Sequence, residues 1–270
     1  MAEISDQPVP GPGRAWPDHP SLGERSPRVP YRIRLVHEID DLEAISALQA
    51  SIWGSLEVAA PASLLKAMAS AGGITLLAEA ARRPVGFAYG FTGRTPGGLL
   101  YHRSHAAGVL PDVRDSGVGR GLKLAQRRHS LRQGLSRMVW TFDPCQGRNA
   151  HFNLNRLGAI ARAFHRDYYG RRTDAVNVHG PTDRLVVEWF LEEEPMRVLA
   201  ALRRHPVETV RIPDGLPATA ETPGGADAQR SLRQDLERAF AQGLTAVDYD
   251  SETRSYSFAE LPPSFPAPAE

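Results

Sequence analysis

The sequence predicts an α/β protein of the α+β type, in which a mixed, mostly antiparallel sheet is flanked by helices. Segments in which apolar and polar residues alternate follow one another across short turns, as in a meander of strands. Segments with apolar residues at helical spacing lie between them, and one strand runs through a glycine-rich turn into a helix. With 270 residues, 41% of them hydrophobic, the chain is long enough to bury a substantial core.

The N-terminal half is predicted to supply the meander. Residues 1–30 are dense in proline and poor in apolar residues, so we expect a disordered tail there. Tyr31 then starts a strand with alternating apolar positions, and two helices follow, each ending near a glycine. The predicted elements are a strand from residue 31, helices over 40–54 and 61–71, and strands over 74–79, 85–91 and 99–109.

After residue 109 helices and strands alternate. A helix from Val118 to Gly134 carries an apolar stripe. Its other face holds cations that we expect to be solvated, namely Lys123, Arg127, Arg128 and Arg132. The following strand, 137–142, is expected to be parallel to the strand before the helix, because a helix connects the two. A helix over 149–157 and strands over 159–169 and 183–191 complete this part.

The chain is predicted to divide after residue 194. Residues 31–194 have the size of one typical domain, and the acidic stretch 192–195 marks a change in composition. We expect residues 195–270 to form a small appended α+β subdomain. Its predicted elements are a strand over 207–212, an amphipathic helix over 228–242 and a hairpin over 244–258.

The composition narrows the class of partner. A formal net charge of +1 provides no general electrostatic attraction to nucleic acid or to a membrane surface, so we expect neither as a partner. The single cysteine, Cys145, excludes an intramolecular disulfide and is typical of a reducing compartment. The sequence has no apolar run that would span a bilayer and no recognisable signal peptide, so we expect a cytoplasmic protein.

The stretch Val109–Gly121 is the most informative part of the sequence. Arg114, Gly117 and Gly119 have the spacing R-x-x-G-x-G at a predicted helix start, where free amide hydrogens and the helix dipole attract an anion such as a pyrophosphate. A P-loop would continue with Lys-Ser or Lys-Thr, but Leu122 follows the last glycine, so nothing is placed to hold magnesium. A dinucleotide fingerprint would need a different third glycine interval. We therefore expect an anion site without a metal.

This turn resembles the loop of the GNAT acyltransferase superfamily, in which a strand ending in Val-Leu-Pro, an R-x-x-G-x-G turn and a helix hold the pyrophosphate of an acyl-coenzyme A (acyl-CoA). The predicted order of elements over 31–191 is also that of the GNAT fold. A narrower group of GNAT proteins, identified as predicted acetyltransferases and in some cases as amino-acid N-acyltransferases that use succinyl-CoA, is similar over 101–191. The segments that carry this resemblance are Ser104-His105, Trp140–Pro144, Arg148–Gly158, Tyr168–Gly170, Asp183-Arg184 and Val187–Trp189.

The resemblance implies an N-acyltransferase that moves an acetyl or succinyl group directly to the amine of a small molecule, an amino acid or a derivative. Acetyl-CoA or another acyl-CoA, such as succinyl-CoA, would be the co-substrate. A catalytically silent acyl-CoA-binding module and a protein acetyltransferase are alternatives, and a homodimer stays open. The implied coenzyme-binding residues are Gly108, Val109, Arg114, Asp115, Ser116, Gly117, Val118, Gly119, Arg120, Gly121, Asn149 and Asn153. For Asn149 taken alone, a helix cap is the favoured interpretation.

His105 is the first candidate for the base that deprotonates the acceptor amine. Strict alternation along its strand places His105 on one face with Ala107 and Val109, towards the same crevice as the thioester. His102 then lies on the other face as a surface or packing residue. A histidine hydrogen-bonded within the sheet is an equally good interpretation of His105.

The acid that protonates the leaving thiolate has two interpretations. Many proteins of the superfamily have a tyrosine four residues before the glycine that ends the helix predicted here over 149–157, and this chain has Leu154 at that position. Tyr168 or Tyr169 replaces that tyrosine from the next loop, or the thiolate leaves without a dedicated acid.

Four polar residues are candidates for substrate binding. Asp143 suits an acceptor ammonium, although an Asp-Pro turn explains it more simply. Arg148 and Arg184 suit a carboxylate on the acceptor or on a succinyl group, against ordinary ion pairs with nearby acids. His151 belongs to the amide-rich segment 149–157, where side chains of this kind need a specific partner.

Overall fold

The structure of the protein is a computed structural model that describes residues 30–54, 59–170, 182–217 and 224–269. The predicted N-terminal tail, except for Pro30, lies outside the described residues. The strands are β1 (Arg32–Leu35), β2 (Ile74–Ala80), β3 (Arg83–Arg94), β4 (Leu100–Val109), β5 (Arg137–Phe142), β6 (Ile160–His165), β7 (Arg184–Phe190), β8 (Glu208–Arg211), β9 (Thr245–Asp250) and β10 (Ser255–Ala259).

The helices are α1 (Ile39–Trp53), α2 (Ala62–Ser70), α3 (Val118–Arg132), α4 (Gly147–Ala150), α5 (Glu193–Leu202) and α6 (Gly225–Ala241). A 3₁₀ turn, Pro111–Val113, lies between β4 and α3. α4 continues directly into a π-helical stretch, His151–Arg156, which we call the π segment. None of the helices in the described ranges is both long and apolar enough to cross a membrane.

The ten strands of the described ranges join one sheet, ordered β1-β2-β3-β4-β5-β7-β6-β9-β10-β8. Every neighbouring pair is antiparallel except β4 and β5, which are parallel because α3 carries the chain back along the sheet between them. The predicted mixed, mostly antiparallel sheet flanked by helices is therefore confirmed. The predicted parallel pairing on the two sides of α3 is also confirmed.

Helices cover the first half of the sheet on both faces. On one face, Ile45 of α1 packs in a cluster with Phe87 of β3, and we call this face the α1 side. On the opposite face, the apolar stripe of α3, including Leu122, packs against Leu76 of β2, and we call this face the α3 side. Strands β2 to β4 are therefore buried between two helical layers.

The C-terminal residues extend the same sheet. Ala246 of β9 pairs with Ala161 of β6, and one apolar cluster contains both Trp189 of β7 and Leu236 of α6. The predicted division after residue 194 stays a prediction, but the described residues on its two sides share a sheet and a core. Helix α5 forms where the sequence indicated only a change in composition.

Two predicted elements differ in the structure. The helix expected over 149–157 consists of α4 and the π segment, in which the Leu157 amide donates to the Phe152 carbonyl five residues earlier. Side chains of this stretch are held by distant strands, since Asn155 donates to Asp248 of β9. The strand expected over 159–169 ends at His165, where a turn begins. Tertiary hydrogen bonds have therefore overridden the local helical preference.

Candidate active site

Strands β4 and β5 pair over only two positions, of which the last joins Arg103 to Val139. Beyond it, β4 continues to Val109 along β3, and β5 continues to Phe142 along β7. Because no strand of the described ranges fills the space between them, each strand presents an unpaired edge to the other. We call this space the strand split; its apex is at Arg103 and its open end is at Val109.

A β-bulge in β4 sets the direction of His105. Tyr89 of β3 pairs with Ala106, and the next residue, Gly90, pairs with Ser104, so His105 is the extra residue of the bulge. The His105 ring lies 5.7 Å from the ring of Tyr89, which packs on the α1 side. His105 therefore points to the α1 side of the strand split.

The predicted face of His105 is wrong. The bulge puts His105 on the same side as Ala106, whereas Ala107 and Val109 point to the α3 side. Strict alternation misses this arrangement because one inserted residue reverses the phase of the strand. His102 is completely buried on the α3 side.

The turn after β6 brings two tyrosines to the α1 side of the strand split. The hydroxyl of Tyr168 accepts a hydrogen bond from the Arg103 guanidinium at 2.9 Å, and the hydroxyls of Tyr169 and Thr141 are 3.0 Å apart. The two tyrosines are 37% and 36% exposed, so solvent reaches this side. We call Arg103, His105, Thr141, Tyr168 and Tyr169 the α1-side cluster.

On the α3 side, a chain of hydrogen bonds is buried next to the apex. Nζ of Lys123 donates to Oγ of Ser104 at 2.7 Å and lies 3.9 Å from the centre of the Trp140 ring. The Ser104 hydroxyl donates to Oε1 of Gln126 at 2.9 Å, and Nε2 of Gln126 is 3.3 Å from Nε2 of His102. All five side chains are buried, and we call them the α3-side cluster.

Burial shifts the titration of both basic groups in the α3-side cluster. Burial lowers the pKa of Lys123 to about 7, and no carboxylate in the described part of the chain is within ion-pair distance of its Nζ. Burial, with a smaller contribution from Lys123, lowers the pKa of His102 to about 3. His102 is therefore neutral at pH 7, whereas Lys123 is poised between its two states.

The predicted solvation of Lys123 is wrong, since only 5% of the residue is exposed. α3 packs against β5 as well as against β2 and β3, so the arc of the helix that is buried is wider than its apolar stripe. A signal was present in the sequence. Lys123, Gln126 and Ser130 form a second stripe at helical spacing beside the apolar one, and all three are buried.

The glycine-rich turn leads from the open end of the strand split into α3. Asp115 and Gly117 have positive φ angles of 64° and 94°, and the Ser116 hydroxyl donates to the Val113 carbonyl at 2.6 Å. Among the residues that the structure describes, no side chain caps the start of α3 at Gly117, so the first amides of the helix are presented without a side-chain acceptor. A helix start of this kind attracts an anion.

Three glycines of the turn differ in whether the fold requires a glycine at their position. Gly117 needs its left-handed backbone, and a Cβ on Gly121 would lie 2.7 Å from the Tyr31 hydroxyl. A Cβ on Gly119 would meet only Cγ2 of Val109, at an ordinary 3.7 Å. The fold itself therefore does not require glycine at 119, which suits a position where a ligand approaches the backbone.

The other predicted coenzyme residues take different positions. Gly108 faces α1, where a Cβ would lie 2.9 Å from Ile52. Asn149 is exposed on α4, whereas Asn153 is buried and its Oδ1 accepts a hydrogen bond from the indole of Trp140 at 3.2 Å. Asn153 thus holds a residue of the α3-side cluster. Val118 and Gly119 begin α3, with Arg120 beside them half-buried and Arg114 exposed in the turn.

The four predicted substrate residues do not form one group. Arg148 pairs with Asp115 of the glycine-rich turn at 2.9 Å, and the Arg184 guanidinium lies 5.3 Å from the Tyr169 ring. Asp143 accepts a hydrogen bond from the Cys145 amide, as in an Asp-Pro turn, and burial raises its pKa. His151 lies 3.3 Å from the Ser251 hydroxyl. Arg184 is the one of the four that adjoins the α1-side cluster.

Sequence reasoning did not single out Arg103, Lys123, Gln126 or Thr141 as functional residues. Leu154, at the position of the expected acid, is completely buried in the apolar core. Tyr168 and Tyr169 lie across the sheet from Lys123. In the described ranges, no group of three or more His, Cys, Asp or Glu side chains is arranged to hold a metal ion.

No protein-family model matches the chain. A search of curated proteins likewise found no relative.

Solved structures with a similar fold include GNAT acetyltransferases. A GNAT-family acetyltransferase from Streptococcus pneumoniae is 14% identical, with a TM-score of 0.47 over 60% of this chain and 100% of the other. The ribosomal-protein-S18-alanine N-acetyltransferase from Escherichia coli is 14% identical, with a TM-score of 0.48 over 60% and 94% of the two chains. Naa50 from Arabidopsis thaliana, solved with a bisubstrate analogue, is 18% identical, with a TM-score of 0.47 over 58% and 97%. Likenesses this distant do not establish a family.

Proposed function

We propose that the protein is an acyl-CoA-dependent N-acyltransferase that transfers an acetyl or succinyl group directly to the amine of a small molecule, an amino acid or a derivative. The observation that carries this proposal is the strand split, with an uncapped, glycine-rich helix start at its open end. From Ser104 to Val109 the free edge of β4 is about 17 Å long at the usual rise of a strand. An extended chain with two amides, such as pantetheine, pairs with an edge of this kind as an added strand would.

The position of the anion site supports a coenzyme A ligand. The first amides of α3 and the side chain of Arg120 adjoin the end of the β4 edge, where the diphosphate would follow the pantetheine. Glycine at 119, which the fold does not require, permits a phosphate to reach the backbone. The thioester would then lie at the apex, between Ser104 of β4 and Trp140 of β5.

The α1-side cluster suits the acceptor amine. His105 lies on the open side of the bulge next to the apex and would accept the proton of the ammonium, directly or through water. The neutral amine would attack the thioester carbonyl, and the coenzyme thiolate would leave. Arg184, beside Tyr169, would bind a carboxylate on the acceptor.

The C-terminal stretch supports a small acceptor over a protein. Ala269 packs with Tyr101 and Val139 on the face that continues from the α1-side cluster, and its amide donates to Glu188 at 2.7 Å. This stretch occupies part of the face that an extended peptide would need to cross.

The proposal is tested by measuring thiol release from acetyl-CoA and succinyl-CoA with a panel of amino acids and other amines. We expect thiol release that depends on both the acyl-CoA and the acceptor, and an increase in melting temperature when either coenzyme is added. Reactions without an acceptor are the control for hydrolysis. Coenzyme binding without thiol release for any acceptor would contradict the proposal and favour a silent binding module.

A further inference from the structure

Lys123 lies where β4 and β5 part. The last paired residues are Arg103 and Val139, so Ser104 and Trp140 are the first residues beyond the pairing on each strand. Nζ of Lys123 contacts both, at 2.7 Å from Oγ of Ser104 and 3.9 Å from the Trp140 ring centre. The lysine thus links the two strands at the apex from the α3 side.

Packing alone does not explain a lysine at this position. A buried cation without a carboxylate partner loses its hydration, and the Trp140 ring and the Ser104 hydroxyl recover only part of it. Methionine has a similar length and flexibility and would fill the same space without this penalty. A buried amine of this kind is suited to an anionic charge that appears only during a reaction.

The neighbours of Lys123 fix the direction of its amine. The amide nitrogen of Gln126 faces Nε2 of His102. The amide oxygen of Gln126 is therefore the atom that accepts the Ser104 proton. The Ser104 oxygen therefore offers a lone pair to Lys123, and the hydrogen bonds run in one direction, from Lys123 through Ser104 and Gln126 to His102. An ammonium carries three protons, so this arrangement leaves Lys123 protons besides the one used by Ser104.

We propose that Lys123 protonates the thiolate of the coenzyme as it leaves, an inference that rests on the proposed function. The amine, freed of one proton by a base, attacks the thioester carbon and forms the C–N bond. When the C–S bond breaks, sulfur takes the electron pair and receives a proton from the Lys123 ammonium. The base passes the first proton to solvent and then removes the second proton of the amine. The products are the amide, the coenzyme thiol and a neutral lysine, which regains a proton from solvent.

No other acid in the described residues takes this position. Tyr168 and Tyr169 lie on the α1 side, where their hydroxyls are engaged with Arg103 and Thr141. Leu154 has no proton to give and is enclosed in the core. Lys123 is the acidic group that contacts the first residue beyond the pairing on both strands.

The groups around Lys123 permit a clear pH readout. From β4, His102 is kept neutral by burial, which lowers its pKa to about 3, and from β5 and the π segment Trp140 and Asn153 do not titrate. On α3 itself, burial lowers the pKa of His129. Loss of activity on the alkaline side of neutrality is therefore expected to report the deprotonation of Lys123.

The test compares Lys123→Met, Lys123→Arg and Ser104→Ala in the full chain, with Arg132→Met as the control, because Arg132 is an exposed cation on the same helix. We expect Lys123→Met to lower kcat by roughly 100-fold with little change in KM for acyl-CoA, and to abolish the alkaline decrease in kcat. Lys123→Arg retains the cation and should recover part of kcat without the alkaline decrease. Ser104→Ala should give a smaller loss, and the control none.

Two results would overturn the inference. One is wild-type turnover together with Lys123→Met within twofold of its kcat and with an unchanged pH profile. The other applies if Lys123→Met does not fold. It is a Lys123→Arg variant whose kcat decreases at the same alkaline pH as that of the wild type. If the wild type itself releases no thiol, the proposed function fails, whereas thiol release that is independent of Lys123 removes only this inference.

Discussion

The two sides of the strand split differ in solvent exposure, in the charged groups that they hold and in the way their side chains are held. On the α3 side, Lys123, Ser104 and Gln126 form a directed chain of hydrogen bonds inside a closed layer. On the α1 side, His105 and the two tyrosines meet solvent around a β-bulge. A closed site keeps its polar groups in one arrangement away from water, whereas an open site admits a partner and exchanges protons with solvent.

This difference assigns a separate task to each side under the proposed function. The acceptor amine must enter, lose a proton and turn its lone pair to the thioester, which requires an open side with a base. The leaving thiolate never needs to reach solvent as an anion. A buried ammonium next to it interacts with the negative charge more strongly than an exposed one would, because the surroundings have a low dielectric.

The largest expected effect comes from the open side. Substituting His105→Ala removes the proposed base, and we expect kcat in the thiol-release assay to fall by roughly 100-fold at pH 7. The exposed His205→Ala is the matched control and should leave kcat unchanged. Equal activity of His105→Ala and wild type would show that the α1 side does not supply the base.

The proposed role of the glycine-rich turn in coenzyme binding can be tested with two of its glycines. Gly119→Ala should lower affinity for acyl-CoA by about tenfold or more, because the new methyl group would displace a phosphate from the α3 amides, while stability stays equal or rises. Gly121→Ala should instead lower stability by about 1 kcal/mol or less, since the added Cβ must displace the end of the Tyr31 side chain while alanine favours the helix. Coenzyme titration and thermal unfolding separate the two effects. Unchanged coenzyme affinity in Gly119→Ala would contradict the assigned anion site.

The burial of Lys123 on the α3 side should make the stability of the protein depend on pH. Burial lowers the pKa of Lys123 to about 7 from its ordinary value of 10.5, so between these values the unfolded chain binds more protons than the folded one. The wild type therefore gains stability as pH rises through this window, and below about pH 7 it bears the full cost of the buried charge.

Lys123→Met lacks that cost. We expect its melting temperature to exceed the wild-type value by about 5 °C at pH 6.5, with the difference shrinking towards pH 10.5. Arg132→Met should show no such dependence. A difference between Lys123→Met and wild type that is constant across pH would mean that Lys123 is protonated in the same way in the folded and unfolded chains.

The smallest expected effect concerns the tyrosines of the open side. Tyr169→Phe removes the hydroxyl contact to Thr141 and should raise KM for the acceptor by about twofold to fivefold, with kcat changed less. Tyr168→Phe, which loses the contact to Arg103, is the companion variant. If either variant instead lost roughly 100-fold in turnover, that tyrosine would be the acid and the assignment of the two sides would be reversed.

The sequence predicted the order of the elements well, because that order depends on local patterns. Apolar alternation placed β2, β3 and β7 within a few residues of their observed bounds, and glycine marked the end of α1. The glycine-rich turn was also located, since left-handed glycines and a helix start leave a local signature. α5 was missed, and so was the pairing of β9 with β6, which joins residues far apart in the chain.

The candidate site was predicted less well, and for particular physical reasons. The face of His105 depends on a bulge between β3 and β4, which alternation within one strand does not reveal. The burial of Lys123 depends on how closely α3 approaches β5. The role of Asn153 depends on a hydrogen bond to Trp140, thirteen positions away.

By itself, the sequence determined the α+β class, the meander, the parallel connection across α3 and the place of the glycine-rich turn. Each of these follows from hydrophobic period or from backbone preferences that act over a few residues. The tertiary structure alone decided which side of the strand split each polar residue occupies and which of them are dry. These properties arise from strand register and helix packing, where a shift of one residue moves a side chain across the sheet and out of water.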